Sequence, residues 1–308
     1  MKLKTRLKNW IQKKIKAIND QHVTDIANQF ACIYKAEHLH NLAQNYNFQG
    51  TSSENYCDNE IIVSLTTYGS RLYDVYLSIE SIMQQTLKPN KIILWLSNEF
   101  KNIDLPRVLL KQQERGLEIK FCKDIKSYKK LIPTLINFPS ATIITIDDDN
   151  LYYPDLIENL VNAHRKEPNT ILCARMHRMK LVAKNKLEKY AKWTQLYDGF
   201  DISPLNFPTG VGGVLYPPRC FNEEVVNEAV FLDICQTADD IWFKAMALLN
   251  DTMSKKIFTH NKNGTDHFTL DNTQNTSLLQ INVEKGMNDI QLQAVFDRYN
   301  LYGKLNSF

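Results

Sequence analysis

The feature that most limits the fold of this chain is a regular alternation of short apolar runs with amphipathic segments over residues 61–176. "IIVSLTT" opens it, a strand by its β-branched content. "RLYDVYLSIESIMQQ" follows, with Leu72, Val75, Leu77, Ile79 and Ile82 giving most of a helical apolar face. "KIILWLS" is a second strand, and "LPRVLLKQQERG" a helix closed by glycine. "LEIKFCKD" is a third strand, "YKKLIPTLINF" a short helix carrying Pro133, and "ATIITI" a fourth strand. "PDLIENLVNAHRKEP" is a helix bracketed by prolines, and "TILCARM" a fifth strand. Strands and helices joined by short loops predict an α/β fold with a mixed, mostly parallel, Rossmann-type sheet flanked by helices.

After Met179 the rhythm gives way to a polar, aromatic and loop-rich stretch. Helices are expected near 223–230, from 239 onward and near 289–302, with a last strand at "KKIFTH". Before residue 59 the chain reads as an extension. It comprises a basic amphipathic helix over 1–19, a second helix over 24–46 and the polar linker "NFQGTSSENYCDNE". This divides the chain into 1–58 and 59–308, the latter with halves at 59–180 and 181–308.

Composition excludes several classes. The net charge of +3 leaves no general footprint for nucleic acid. No run is long and apolar enough for a membrane span. The six cysteines are irregularly spaced and include no C-x-x-C pair, which suits reduced thiols in the cytoplasm. The segment 1–19 carries Lys2, Lys4, Arg6, Lys8, Lys13, Lys14 and Lys16 and no acid, with Leu3, Leu7, Trp10, Ile11, Ile15 and Ile18 at helical spacing. Such a helix can lie on an anionic membrane, here the inner face, or pack on the body as a solvated helix.

The chemistry is carried by "TIITIDDDN". Its strand climbs directly into Asp147, Asp148 and Asp149. Ligands of open α/β sheets bind at the carboxyl ends of the strands. Alternate residues of an extended segment point the same way, so Asp147 and Asp149 are expected to face one point and Asp148 to face away. Two converging carboxylates need a cation, and an all-oxygen site suits Mg2+ or Mn2+. The competing reading is a solvated acidic turn that caps the next helix. Thr66, Thr67, Tyr68 and Arg71 follow the first strand, and Asp124 and Lys130 follow the third, so polar groups collect at three strand ends. "PTGVGGVLYPP" supplies Gly210, Gly212 and Gly213, where a ligand can approach the backbone. In "TADDIWF", one of Asp239 and Asp240 can cap a helix while the other serves as a general base.

These segments, "IIVSLTTYGSR", "CKDIKSYKKLIP", "TIITIDDDN", "PTGVGGVLYPP" and "TADDIWF", resemble in kind and order the nucleotide-sugar-dependent glycosyltransferases of the GT-A fold. The likeness is greatest to bacterial members that build capsule or lipopolysaccharide. It covers about residues 60–250. It implies transfer of a sugar from a nucleotide-diphospho sugar to a saccharide or lipid-linked saccharide, with a divalent metal and inversion. It further implies that Asp149, with Asp147, holds the metal. Thr66, Tyr68, Arg71, Asp124, Lys130, Asp147 and Asp148 would hold the donor. Gly212 and Gly213 would line the donor and acceptor pocket. Asp240 would be the base, supported by Asp239. A third metal ligand is often a histidine in such enzymes, and His260 and His267 give no firm match. A sugar nucleotidyltransferase and a non-catalytic carbohydrate-binding protein are the competing readings. The former would want a richer glycine loop than "TTYGSR".

Overall fold

A computed structural model of the chain describes residues 2–183, 186–260, 266–270 and 286–305, with the side chains of 2–15, 17–19 and 21 outside the description. Its strands are β1 (Ile61–Thr66), β2 (Lys91–Ser97), β3 (Leu117–Cys122), β4 (Thr142–Thr145), β5 (Asn150–Tyr152), β6 (Ile171–Cys173), β7 (Met176–Arg178), β8 (Leu181–Ala183), β9 (Lys186–Leu187), β10 (Asn206–Pro208), β11 (Val214–Tyr216), β12 (Ser254–Lys256) and β13 (His267–Thr269). Its α-helices are α1 (Lys2–Asn45), α2 (Val75–Met83), α3 (Arg107–Glu114), α4 (Ile132–Asn137), α5 (Leu156–Lys166), α6 (Glu228–Ile234), α7 (Asp239–Leu249) and α8 (Met287–Tyr299).

Seven strands form the central sheet in the order β12-β6-β11-β4-β1-β2-β3. Only β11 runs against its neighbours, antiparallel to both β4 and β6. This is the mixed, mostly parallel, Rossmann-type sheet flanked by helices that the alternation predicts, and it agrees with a GT-A-like architecture. The period-2 rule sets the two sides. On β2, Ile93 and Trp95 enter one apolar layer with Ile241, Trp242 and Phe243 of α7 and Phe296 of α8. Ile92, Leu94 and Leu96 enter the other layer with Ile79 of α2, Leu109 of α3 and Leu160 of α5. Both faces are covered, which is why these strands read as unbroken hydrophobic runs.

Three local expectations are corrected. The extension is one helix, α1, not two. No proline or glycine lies between its ends, so nothing stops the helix near residue 20. Its later half docks on the body, with Leu39 packed against Leu77, Leu151 and Leu270, and Lys35 donating to the Tyr152 carbonyl at 2.7 Å. The run "TILCARM" splits, because β6 ends at Cys173 and β7 leaves the sheet to pair with β10. The third correction is β11 itself, a three-residue strand inside what reads as a loop.

The direction of β11 matters to the site. Parallel strands β1, β3, β4 and β6 all end at one edge. An antiparallel strand begins where they end. The segment just before β11, containing Gly210, is therefore brought to the same edge as the residues following those strands.

Candidate active site

A cleft of about 1030 Å³ opens at this edge. Thr66, Tyr68, Arg71, Asp124, Lys130, Asp147, Asp148, Asp149, Asp239 and Asp240 all line it. Segments far apart in sequence thus meet at one place.

The three aspartates do not alternate as an extended strand would. β4 stops at Thr145, and Asp148 and Asp149 lie in a turn. Arg71 therefore reaches both, with Nη1 at 2.9 Å from Asp148 Oδ1 and 3.1 Å from Asp149 Oδ2. Thr67 donates to the second Asp148 oxygen at 2.6 Å, so that carboxylate is held on both sides. Burial raises the Asp148 pKa against the pull of Arg71. Burial and the charges of Asp147 and Asp148 push Asp149 up to about 6. Asp147 turns instead to Lys130, at 3.0 Å. Its backbone N–H donates to the Tyr152 hydroxyl at 2.9 Å, and that hydroxyl donates to the Val211 carbonyl at 3.2 Å. The aspartate turn and the glycine loop are thereby tied through one buried phenol.

Lys130 is the hub of the opposite wall. Its ammonium also lies 3.0 Å from Asp239 Oδ2. Burial by itself would lower its pKa, but Asp147, Asp239 and Asp240 outweigh burial and raise it well above the usual range. Ser127 donates to the other Asp239 oxygen at 2.9 Å, so Asp239 is engaged at both ends. Neither member of the Asp239–Asp240 pair caps α7: the N-cap position is Ala238, with no side-chain cap bond. Asp240 accepts the Gly210 N–H at 3.1 Å. Burial and the adjacent Asp239 charge push it up to about 7, against the pull of Lys130. It is a carboxylate held near neutrality at the cleft surface.

Gly210 explains itself here. A Cβ at this position would stand 2.7 Å from Lys130 Nζ and 3.2 Å from Asp240 Oδ1. Gly212 and Gly213, the glycines expected in the pocket, are not among its lining residues. Gly212 packs on the backbone and Cβ of Arg175, and Gly213 turns with φ +90° against Leu156, so both serve the wall from behind.

Other expected groups have structural duties. The Thr66 hydroxyl donates to the Trp95 carbonyl at 2.8 Å. Asp124 pairs with Lys129, whose hydrogen bond lowers the Asp124 pKa although burial opposes it. His260 pairs with Asp155 at 2.6 Å and does not line the cleft. His267 packs against Tyr152, and burial pushes its ring down to about 4. Sequence reasoning missed Arg175, Ser127, Thr209 and Tyr190, which also line the cleft. Arg175 was recoverable: it follows β6 as Asp147 follows β4, but the run "TILCARM" hid the strand end.

No protein-family model and no curated protein matches the chain. Among solved structures, it is similar to the inositol-1-phosphate CTP transferase from T. maritima, with TM-score 0.40 and 13% identity over 78% of this chain and 96% of that one. It is also similar to a mannosyltransferase from Pyrobaculum calidifontis solved with GDP-Man and Mn2+, with TM-score 0.41 and 11% identity over 75% of this chain and 64% of that one. Likeness of this degree carries no argument about reaction or ligand, which rest on the site's own geometry.

Proposed function

We propose that the chain is a metal-dependent, inverting glycosyltransferase. It moves a sugar from a nucleotide-diphospho sugar to a hydroxyl of a saccharide or lipid-linked saccharide, in the assembly of surface polysaccharide. The observation that carries this reading is Asp240, a carboxylate pushed up to about 7 and facing the same cleft as the Asp147–Asp149 turn. A general base works best when its pKa is near the working pH. The same observation disfavours nucleotidyl transfer to a sugar phosphate. That nucleophile is already ionised at neutral pH and needs no base.

Asp147 and Asp149 fit a hard divalent ion. Both line the cleft, and each also meets a cation there, Asp147 at Lys130 and Asp149 at Arg71. Two carboxylates leave the remaining positions to water and phosphate oxygens, as Mg2+ and Mn2+ sites commonly do. When bound, the ion would offset charge growing on the diphosphate leaving group.

The chain's own residues do the rest. Arg71 and Lys130 supply positive charge toward the diphosphate. The Gly210 N–H orients Asp240. Asp240 takes the proton of the acceptor hydroxyl as its oxygen bonds to the anomeric carbon. The bond from that carbon to the diphosphate oxygen breaks, and the nucleoside diphosphate leaves with the electron pair. One displacement inverts the centre.

The direct test is calorimetric titration of a panel of sugar nucleotides with and without Mn2+. Wild type is expected to bind one of them in a metal-dependent way. Asp149→Ala should weaken that binding by more than about 100-fold, since losing a ligand costs more than losing its supporting groups. No binding by any member, or binding indifferent to metal and to Asp149, overturns the reading.

The acceptor end draws on α1. Among the described residues no helix is long and apolar enough to cross a membrane. The exposed residues Val23, Ile26, Phe30 and Ile33 recur on one face of α1. This extends the apolar spacing of 1–19, whose side chains, apart from Lys16, lie outside the described residues. The basic segment is suited to hold the enzyme on anionic lipid beside a lipid-linked acceptor at the inner face, each cation adding about 1 kcal/mol near the surface. Deleting 1–19 should abolish cosedimentation with phosphatidylglycerol vesicles. Unchanged cosedimentation would remove the membrane from the proposal.

A further inference from the structure

We propose that Arg175 and Thr209 form an anion subsite on the acceptor side of the cleft, which receives a carboxylate or phosphate carried by the acceptor saccharide. The inference rests on the glycosyltransferase reading for the word acceptor. The subsite itself rests on the charge pattern of the cleft.

The buried cations lining the cleft are matched. Arg71 meets Asp148 and Asp149, Lys129 meets Asp124, and Lys130 meets Asp147 and Asp239. Arg175 also lines the cleft, yet among the described residues no carboxylate lies within ion-pair distance of it. Among the described residues its side chain makes one hydrogen bond, from Nη1 to Thr209 Oγ1 at 2.8 Å. A guanidinium carries five N–H donors, so most of its capacity is left to face the cleft. Burial lowers its pKa, and the influence of Tyr190, Asp240 and Asp147 offsets that only in part. Arg175 is half-buried, so the rest of its guanidinium is open to a ligand in the cleft.

The guanidinium is also held in place. The Thr209 hydroxyl that receives it is anchored by the Arg175 carbonyl at 3.3 Å, and the Gly212 backbone packs on the Arg175 Cβ. Chain connectivity sets this subsite beside the base: Thr209 adjoins Gly210, whose N–H donates to Asp240 at 3.1 Å. Arg71 follows β1 and Lys130 follows β3, on one side of β4. Arg175 follows β6, two strands away on the other side. Asp240 lies within electrostatic reach of Arg175, as does Asp147. A ligand anion at Arg175 and Thr209 therefore sits beside the group that deprotonates the acceptor hydroxyl, and is assigned to that molecule.

The test uses the full chain without nucleotide or metal, so that its outcome is independent of donor binding. D-glucuronate, glucose 6-phosphate and glucose are titrated by ligand-observed NMR. One or both of the anionic sugars should bind wild type at least about tenfold more tightly than glucose, the size expected of a charge-assisted pair. Preference for glucuronate names a carboxylate as the source, and preference for glucose 6-phosphate names a phosphate. Arg175→Gln should erase the preference, and Thr209→Val, which frees the guanidinium without removing it, should cut it severalfold. No preference in wild type, or one that survives Arg175→Gln, overturns the subsite. So does a loss of sugar-nucleotide affinity in Arg175→Gln that matches the loss of anion preference, since the cation would then serve the donor diphosphate. Failure of every sugar nucleotide to bind, with the anion preference intact, would instead remove the transferase reading and leave the subsite.

Discussion

Asp240→Asn is expected to lower turnover by about 10²–10⁴-fold, the usual contribution of a positioned general base. The variant keeps the shape of the side chain and an oxygen for the Gly210 N–H, so the loss isolates proton transfer. The pH dependence gives the sharper reading. In wild type the carboxylate sits near 7 in the folded chain, against an ordinary value near 4. Falling pH protonates it, so kcat/KM should decline tenfold per unit below about 7 and level off above. The apparent midpoint belongs to the Asp239–Asp240–Lys130 cluster and not to one residue. That acidic limb should vanish in Asp240→Asn. Stability should move the other way. Between about 4 and 7 the folded chain binds a proton at Asp240 that the unfolded chain has released, so wild-type stability falls as pH rises through that window. The asparagine variant escapes this loss and should show a higher Tm than wild type at pH 8 and no gain at pH 4. A limb that persists in Asp240→Asn with the same midpoint would refute the assignment.

The sequence makes some of this architecture legible for physical reasons. Strands covered on both faces need unbroken runs of β-branched and large apolar residues, so β1, β2 and β4 announce themselves in "IIVSLT", "KIILWLS" and "TIIT". Strand-end logic then places Asp147–Asp149 and Lys130 at one edge without any distance being known. What fails is whatever depends on local backbone direction. Alternation assumes an extended chain, and the chain turns at Asp148, so Asp149 shares Arg71 with Asp148 and Asp147 goes to Lys130. The glycines were read as a group, but only Gly210 meets the charges, because what its absent Cβ would strike comes from two other segments. β11 is three residues long, below the length at which a period can be recognised. Arg175 was hidden by a strand that ends earlier than its apolar run. Each miss is a tertiary fact about which partner faces which residue.

Lys130→Met tests whether those partners hold the site together. The ammonium is the shared counter-ion of Asp147 and Asp239, and its charge also bears on Asp240. A methionine of similar length preserves packing and removes only the charge. Three carboxylates then face one another in a largely buried space, and breaking a buried pair from one side typically costs about 3–5 kcal/mol. That loss should appear in urea unfolding at pH 8. It should shrink as pH falls, because mutual repulsion favours proton uptake by the folded cluster, and a folded chain that binds more protons than the unfolded one gains stability at lower pH. Neutralising one acid in the same background, as Lys130→Met with Asp239→Asn, should recover part of the loss. The two changes are then non-additive, as groups in direct contact are. Activity gives an independent reading. Without Lys130 the Asp240 carboxylate loses a cation that holds its pKa down, so its acidic limb should move upward by about one unit or more. If Lys130→Met instead unfolds like wild type at every pH and leaves the limb in place, then water already screens these charges from one another, and Asp240 cannot owe its basicity to the cluster around it.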